Sequence, residues 1–217
     1  MEFPTKVIVE LTNNCNLSCA MCPRHHINME LGYMSMELWH RIISEIPKGA
    51  TILPFWRGES TMHPNFREMI RELGDYEVVL ATNGTNVNSI IDVLPYLKVI
   101  NVSIHNEDSY AGYHKIKSSI TNSAKVIASM VEGEQEFLDG ARLYKRHTID
   151  GIWGKVDGFS KLNMTGEKCQ RLLETIITWD GKIGRCCYVW DTNIPMGSYP
   201  DEICQKCDQW AGNGRTL

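Results

Sequence analysis

The sequence lacks any apolar run close to the roughly 20 residues that a membrane-spanning helix needs. It also lacks a surplus of basic residues, because the formal net charge is −4 at pH 7, and this argues against a nucleic-acid partner. The first residues, MEFPTKVIVELT, contain no basic region followed by an apolar stretch, so no secretion signal is expected. We therefore expect a cytoplasmic protein whose partners include neither a membrane nor nucleic acid.

Cysteine is missing from the whole middle of the chain. Three of the eight cysteines are Cys15, Cys19 and Cys22, and none occurs over the next 146 residues. The other five are Cys169, Cys186, Cys187, Cys204 and Cys207. Stable disulfides are rare in the cytoplasm, so metal ligation is the better use of these thiols. The two groups predict two thiolate-rich sites, one towards each end of the sequence.

Strand-like and helix-like segments alternate between the two cysteine groups. The segments that resemble strands are 6–11, 50–56, 77–81, 98–104 and 141–147. Those with a helical apolar period are 35–46, with Ser35 as N-cap, 64–73, 87–94 and 120–131. Pro54 predicts an edge or irregular position for the second strand. Repeated strand–helix units predict a parallel sheet with helices outside it.

The last fifty residues break this alternation. The segment ETIITWDGKIGRCCYVW predicts two strands around a turn at Asp180–Gly181, and PDEICQKCDQW predicts a short helix or turn. We therefore place a boundary near residue 160, with one domain over 1–160 and a smaller one over 161–217.

The first three cysteines lie directly after the first predicted strand. Loops at the carboxyl ends of parallel strands carry the chemistry of α/β folds. The spacing C-x3-C-x2-C is tight enough for all three thiolates of Cys15, Cys19 and Cys22 to reach one cluster. A [4Fe–4S] cubane wants one external ligand for each iron, so three cysteines leave one iron open. The alternative is a zinc knuckle with a remote fourth ligand, His25 or His26.

The segment CNLSCAMCP (15–23) resembles the signature of the radical S-adenosylmethionine enzymes, with Met21 at the bulky apolar position next to the cofactor. The resemblance implies that the open iron binds the amino and carboxylate groups of S-adenosylmethionine. An electron, supplied by a donor such as flavodoxin or ferredoxin, then releases a 5′-deoxyadenosyl radical that takes hydrogen from the substrate. It also implies an α/β fold, a partial (β/α)6 TIM-like barrel over 1–160, with all cofactor contacts at the carboxyl ends of its strands.

The segment RGES (57–60) stands where this family has Gly-Gly-Glu-Pro. The resemblance implies that Glu59 accepts hydrogen bonds from the amino group of S-adenosylmethionine and that Gly58 permits close backbone approach. Arg57 and Ser60 depart from the family pattern.

Three further residues follow from the same resemblance. Asn83 in ATNGT, Ser103 in NVSIHNED and Arg142 in the fifth strand correspond to contacts with S-adenosylmethionine, Arg142 with its carboxylate. The alternative for all three is ordinary turn or strand chemistry.

The pattern C-x11-G-x4-C…C-x2-C from residue 169 resembles the twitch, or half-SPASM, auxiliary-cluster domain. The resemblance implies a β-hairpin plus helix that holds a second, closed [4Fe–4S] cluster on Cys169, Cys186, Cys204 and Cys207. A structural zinc ribbon is the alternative. Cys187 is left over, as a buried thiol, an alternative ligand or a hydrogen-atom donor.

The resemblance is compatible with several reactions. One is dehydrogenation of a small polar, sugar- or cyclitol-like substrate, with the auxiliary cluster as electron acceptor, since small twitch enzymes include an aminocyclitol dehydrogenase. The absence of an N-terminal extension for a leader peptide favours a small molecule over a peptide. His105, Arg142, Lys145, Arg146 and His147 are candidates for proton transfer or substrate contact, or else ordinary polar residues. The alternatives are an epimerase with Cys187 as hydrogen donor, a peptide-modifying enzyme, and a non-catalytic iron–sulfur or zinc protein.

Overall fold

The structure, a computed structural model, describes residues 6–19, 22–131, 142–144 and 174–184. The strands in these ranges are β1 (Lys6–Val9), β2 (Thr51–Leu53), β3 (Glu77–Thr82), β4 (Val99–Ser103), β5 (Lys125–Val131), β6 (Arg142–Tyr144), β7 (Glu174–Ile177) and β8 (Ile183–Gly184). The α-helices are α1 (Met36–Glu45), α2 (Phe66–Arg71), α3 (Val87–Ile91) and α4 (Glu107–Ser118). None of these helices has both the length and the apolar character of a membrane span.

All eight strands belong to one sheet in the order β6-β5-β4-β3-β2-β1-β7-β8. Neighbouring strands are parallel throughout, except that β8 returns antiparallel to β7. Helices α1 to α4 each lie in the connection between two consecutive parallel strands. The predicted mixed α/β fold with a parallel sheet is therefore confirmed.

The core lies between the sheet and these helices. Alternate residues of each strand turn towards the helices, so that Val78 and Leu80 of β3 are fully buried beside Ile100 of β4. Helix α1 begins as predicted, because Ser35 Oγ accepts a hydrogen bond from the Leu38 amide at 3.1 Å. Its buried face presents residues such as Trp39 to the same cluster. Burial of these apolar side chains contributes about 25 cal/mol per Å² of area removed from water.

The helix predicted over 120–131 is wrong, because residues 125–131 form strand β5. Ala128 and Met130 are buried in the core, while Ser129 alternates to the other face. A strand that is covered on one face and half covered on the other has apolar residues at spacings that also fit a helix. The β-branched pair Val126–Ile127 was the available signal for a strand.

Of the two positions predicted from Pro54, the edge is wrong and the irregular position is confirmed. Strand β2 lies inside the sheet, between β1 and β3, and it ends at Leu53. Pro54 therefore follows the last paired residue, where its missing N–H removes no bond from the ladder.

Helix α4 was not predicted from the sequence. Asn106 caps it, since its Oδ1 accepts a hydrogen bond from the Ser109 amide at 2.9 Å. Glu107 and Asp108 occupy the first turn and Lys115 the last, where their charges complement the helix dipole. The segment of α4 is only weakly apolar, so its helical period was not recognised, although its capping residues were present.

The hairpin predicted around Asp180–Gly181 is confirmed by β7 and β8. Gly181 has φ +82°, which a glycine adopts without strain. Strand β7 pairs in parallel with β1, so this hairpin extends the main sheet. The boundary near residue 160 and the segment PDEICQKCDQW lie outside the described residues.

Candidate functional site

The loop that carries Cys15, Cys19 and Cys22 leaves the carboxyl end of β1, and all three residues are half-buried and outside any disulfide. The base of this loop is closed by hydrogen bonds across it. Thr12 Oγ1 donates to the Gly32 carbonyl at 2.6 Å, and Asn13 Oδ1 accepts from the Gly32 amide at 2.8 Å. The returning chain therefore fixes where the cysteine loop starts, directly above the sheet.

The loop after β2 packs against the base of the cysteine loop. A Cβ added to Gly58 would lie 2.5 Å from the Thr12 carbonyl oxygen and 2.4 Å from that of Asn14, so no side chain fits. The Glu59 amide donates to the same Asn14 carbonyl at 2.7 Å. Gly58 thus permits close backbone approach, but the approach that the structure shows is to the cysteine loop.

Glu59 joins three loops. Its side chain is buried; Oε1 accepts from the Thr61 and Thr82 hydroxyls at 2.7 and 2.9 Å, and Oε2 accepts from the Asn83 amide at 2.7 Å. Burial raises the pKa of the Glu59 carboxyl, and these donors, with the Thr61 amide, act in the opposite direction. The carboxylate is therefore an acceptor oriented by the ends of β2 and β3.

Asn83 links the end of β3 to the cysteine loop. Its Nδ2 donates to Asn16 Oδ1 at 2.8 Å and lies 3.9 Å from the sulfur of Cys15. Asn16 was not among the predicted site residues, although it lies inside the CNLSC motif. Asn16 could have been recognised because it is a polar amide next to Cys15, in a loop of candidate cluster ligands.

The remaining predicted contacts lie along the sheet. Strand register aligns Ser103 of β4 with Ser129 of β5, and Ser129 with Arg142 of β6. Parallel register partners share a face, so these positions form one row across three strands. Asn83 and Ser103 each follow an aligned pair, Thr82 and Val102, by one residue. Ser129 escaped notice because its segment was predicted to be a helix.

A buried ion pair behind the site was also missed. Arg57 donates from Nε and Nη2 to the two oxygens of the Glu10 carboxylate at 2.7 and 2.6 Å, and both side chains are almost fully buried. The Trp179 amide donates to Glu10 at 3.3 Å, and the guanidinium carbon lies 4.4 Å from the ring centroid of Trp56. Arg57 stands where the family motif has glycine, and its side chain pairs with Glu10. No sequence spacing reveals this pairing.

The donor set of the cysteine loop fits an iron–sulfur cluster. Three cysteines outside any disulfide sit on one loop. Burial raises the pKa of the Cys15 thiol, while the Leu17 amide, 3.4 Å from its sulfur, acts in the opposite direction. Across residues 6–19, 22–131, 142–144 and 174–184, no group of three or more His, Cys, Asp or Glu could hold a metal ion. A cubane makes a different demand, because each thiolate binds a different iron.

The structure does not reach every predicted site residue. Met21, Cys169, Cys186, Cys187, Cys204 and Cys207 lie outside the described residues, as do Lys145, Arg146 and His147. His105 is half-buried and lies two residues after β4, at the same carboxyl edge of the sheet as the site loops.

Thiols, a buried carboxylate and backbone amides gathered at the carboxyl ends of parallel strands define a ligand-binding α/β protein of the barrel type. The chain belongs to the Radical SAM superfamily, whose sequence model matches residues 9–168. The parallel sheet is consistent with the partial TIM barrel of that superfamily. Membership implies one [4Fe–4S] cluster and S-adenosylmethionine.

Two curated relatives match parts of the chain. The tungsten-containing aldehyde ferredoxin oxidoreductase cofactor-modifying protein of Pyrococcus furiosus is 34% identical over 82 residues, 36% of this chain and 23% of the relative. The GTP 3′,8-cyclase of Synechocystis sp. is 31% identical over 105 residues, 46% of this chain and 32% of the relative. The matched part thus spans less than a third of either relative.

Solved structures are similar over nearly the whole chain. BtrN in complex with AdoMet and 2-DOIA superposes with a TM-score of 0.64 at 18% identity, covering 98% of this chain and 84% of that one. Streptococcus suis SuiB bound to its precursor peptide SuiA gives 0.56 at 14% identity, with 96% and 70% covered. At these identities the likeness establishes the fold.

Proposed function

We propose that Cys15, Cys19 and Cys22 hold the [4Fe–4S] cluster and that S-adenosylmethionine binds beside it, above β1 to β4. When bound, these groups supply a 5′-deoxyadenosyl radical that removes hydrogen from a substrate. One observation carries this proposal: Glu59 and Asn83 are hydrogen-bonded to the base of the same loop that bears Cys15. The fold therefore brings the three motifs together.

Glu59 is the proposed partner of the amino group of S-adenosylmethionine. Among the residues that the structure describes, its Oε2 has one donor, the Asn83 amide, whereas its Oε1 has three. A carboxylate oxygen accepts about two hydrogen bonds readily, so Oε2 has capacity for an ammonium donor. A buried carboxylate also gains from a cationic partner, because the charge is otherwise uncompensated.

Ser103 and Arg142 are the proposed contacts on the far side of the cofactor. Their positions fall in one row with Ser129, which we add as a further polar candidate on the same face. The row begins next to Asn83 and leads away from the cysteine loop. A cofactor that spans from the loop to this row would meet the Glu59 carboxylate at one end, and two serines and Arg142 at the other.

A second cluster is proposed on Cys169, Cys186, Cys204 and Cys207. The cysteine spacing supports it, and the β7–β8 hairpin that leads to Cys186 packs against β1 through Glu10 and Trp179. The turn of that hairpin lies at the carboxyl edge of the sheet, where the cysteine loop begins. Thiolate-rich sites of this kind need a reducing compartment, which supports a cytoplasmic location.

For the reaction we propose dehydrogenation of a small polar substrate, with the second cluster as electron acceptor and flavodoxin or ferredoxin as electron donor. The similarity to BtrN, crystallised with AdoMet and 2-DOIA, favours a small molecule. His105, next to the row of Ser103, is the candidate base for the substrate hydroxyl. The likeness to SuiB with its precursor peptide favours the second candidate, modification of a peptide. Epimerisation with Cys187 as hydrogen donor remains the third.

The test is cleavage of S-adenosylmethionine by anaerobically reconstituted protein with dithionite as reductant. Mass spectrometry should detect 5′-deoxyadenosine from the wild type and none from Cys19→Ala, because one iron loses its ligand. Ser18→Ala, a change at the exposed neighbouring residue, is the control and should retain cleavage. Wild-type cleavage by Cys19→Ala would overturn the assignment of the cluster.

A further inference from the structure

Three side chains next to Cys15 form a closed ring of hydrogen bonds. Asn83 Nδ2 donates to Asn16 Oδ1 at 2.8 Å, Asn16 Nδ2 donates to Thr85 Oγ1 at 2.8 Å, and Thr85 Oγ1 donates to Asn83 Oδ1 at 2.7 Å. Each member is both donor and acceptor within the ring. It joins the cysteine loop to the turn after β3.

The ring fixes which end of the Asn83 amide faces the sulfur. A side-chain amide can be reversed without changing its shape, so its orientation must follow from its partners. The Thr85 backbone amide, which can only donate, lies 3.0 Å from the Asn83 Oδ1. The oxygen must therefore point to Thr85, and the NH2 group must point to Asn16 and Cys15.

The NH2 group has two hydrogens and only one oxygen partner. One hydrogen goes to Asn16, and the other faces the sulfur of Cys15, with Nδ2 and Sγ 3.9 Å apart. Asn83 is held from its other side as well, because its backbone amide donates to Glu59 at 2.7 Å. The buried side-chain amide of Asn83 cannot turn its N–H away from Cys15 without breaking the ring of hydrogen bonds.

We propose that Asn83 is a positioning residue whose N–H···S contact with Cys15 raises the reduction potential of the cluster. This rests on the proposed ligation of the cluster by Cys15, Cys19 and Cys22. Reduction adds one electron, so negative charge on the thiolate sulfurs increases and a donor hydrogen stabilises the reduced form more than the oxidised form. Hydrogen bonds to the sulfurs are among the factors that set such potentials. Asn83 then acts on the cluster through Cys15.

The experiment is an EPR-monitored redox titration of the reconstituted holoenzyme, following the signal that changes when S-adenosylmethionine is added. Asn83→Leu removes the donor without adding charge. We expect the ratio of reduced to oxidised cluster at a given potential to fall at least about tenfold, a shift of about 59 mV to lower potential for one electron. Asn86→Ala, a change of the same residue type whose Nδ2 donates to the Thr61 carbonyl instead, should leave the potential unchanged.

Asn16→Ala keeps the test decisive if Asn83→Leu fails to fold. Asn16 is exposed, so its loss leaves the core intact, and the Asn83 amide loses one of its partners. A smaller shift in the same direction is expected. An unshifted potential in either variant, with the cluster assembled, would overturn the inference while leaving the proposed function standing. Loss of the responsive signal from the wild type itself would instead refute the proposed cluster.

Discussion

Glu59 combines a structural role with the proposed role in binding the cofactor. We predict that Glu59→Gln weakens S-adenosylmethionine binding by about 1.5–3 kcal/mol, roughly ten- to 150-fold, because a charge-assisted hydrogen bond becomes a neutral one. The dissociation constant would be measured by anaerobic calorimetry on reconstituted protein. Glu68→Gln, on the exposed face of α2, is the matched control. Wild-type affinity in Glu59→Gln would remove the carboxylate from the site.

Arg57 and Glu10 form a pair whose removal one partner at a time should be costly. Arg57→Met leaves the Glu10 carboxylate buried without its cation, and we expect a loss of about 3–5 kcal/mol in the free energy of unfolding. Adding Glu10→Gln should recover much of that loss, because the amide keeps an acceptor for the Trp179 N–H without a buried charge. Urea denaturation of both variants measures the difference. A double variant as unstable as Arg57→Met would show that packing, and not the unpaired charge, dominates.

His63 makes the fold sensitive to acid. Its Nε2–H donates to the Met34 carbonyl at 2.9 Å, and its Nδ1 accepts from the Asn65 amide at 3.0 Å, so the buried ring must be neutral. Burial lowers the pKa of His63 below the ordinary value of 6.5, with the bond to Met34 acting against it. In the window from 6.5 down to the folded pKa, the unfolded chain binds more protons, so stability is full above 6.5 and falls as pH drops.

The corresponding measurement compares the free energy of unfolding at about pH 8 and about pH 5.5. The wild type should lose more stability on acidification than His63→Gln, which cannot take up the proton. His40→Gln is the control, because His40 is exposed and lies 3.2 Å from the Glu72 carboxylate at the surface. An equal acid loss in wild type and His63→Gln would exclude His63 as the group responsible.

Among the elements, α4 depends on a close contact with the turn after β3. A Cβ added to Gly112 would lie 1.9 Å from the Gly84 carbonyl oxygen, and both sides of that contact are backbone. We predict that Gly112→Ala lowers the free energy of unfolding by about 1–3 kcal/mol through overpacking. Gly74→Ala, where the Arg71 carbonyl oxygen would lie 4.0 Å from the new Cβ, should be close to neutral when both variants are compared by thermal unfolding. A stable Gly112→Ala would mean that α4 can shift away from the turn.

Local chemistry decided which elements could be predicted. Helix α1 has a capping serine and an apolar period that agree, and β3 is a β-branched run between turn residues, so both were found. Strand β5 failed because its two faces are both partly covered, so its apolar spacing carries no period of two. Helix α4 was missed because its face is only weakly apolar. How far the rest of the fold buries each face of an element separates the elements that were predicted from those that were missed. The sequence does not show this burial.

The site shows the same division. The positions of Gly58, Glu59 and Asn83 after parallel strands follow from a motif, because parallel strands end at one edge of the sheet. The partners of those residues do not follow, since Asn16 and Asn83 are 67 residues apart and meet only when the sheet forms. The ion pair between Glu10 and Arg57 is likewise a property of neighbouring strand ends and has no signature of its own.

At the scale of the whole molecule, Glu10 joins parts of the chain that are far apart. It directly follows β1, pairs with Arg57 after β2, and accepts from the Trp179 amide in the β7–β8 turn, 169 residues away. The Glu10 amide also donates to the Ile177 carbonyl at 2.8 Å. The hairpin that leads to the C-terminal cysteines is therefore anchored where the cysteine loop begins. The anchored part is the turn, and β8 then runs back antiparallel to β7.

Iron content tests this arrangement across the full chain. Reconstituted protein should bind about eight irons, and the triple variant Cys15→Ala/Cys19→Ala/Cys22→Ala about four, by the count of four per cubane. The single variant Cys204→Ala should still cleave S-adenosylmethionine if it folds, yet form no oxidised product, because the first cluster initiates the reaction and the second accepts the electron. Metal analysis and product detection by mass spectrometry read out the two halves separately. Zinc in place of iron in the triple variant would make the second site structural, and dehydrogenation would lose its electron acceptor to the advantage of epimerisation through Cys187.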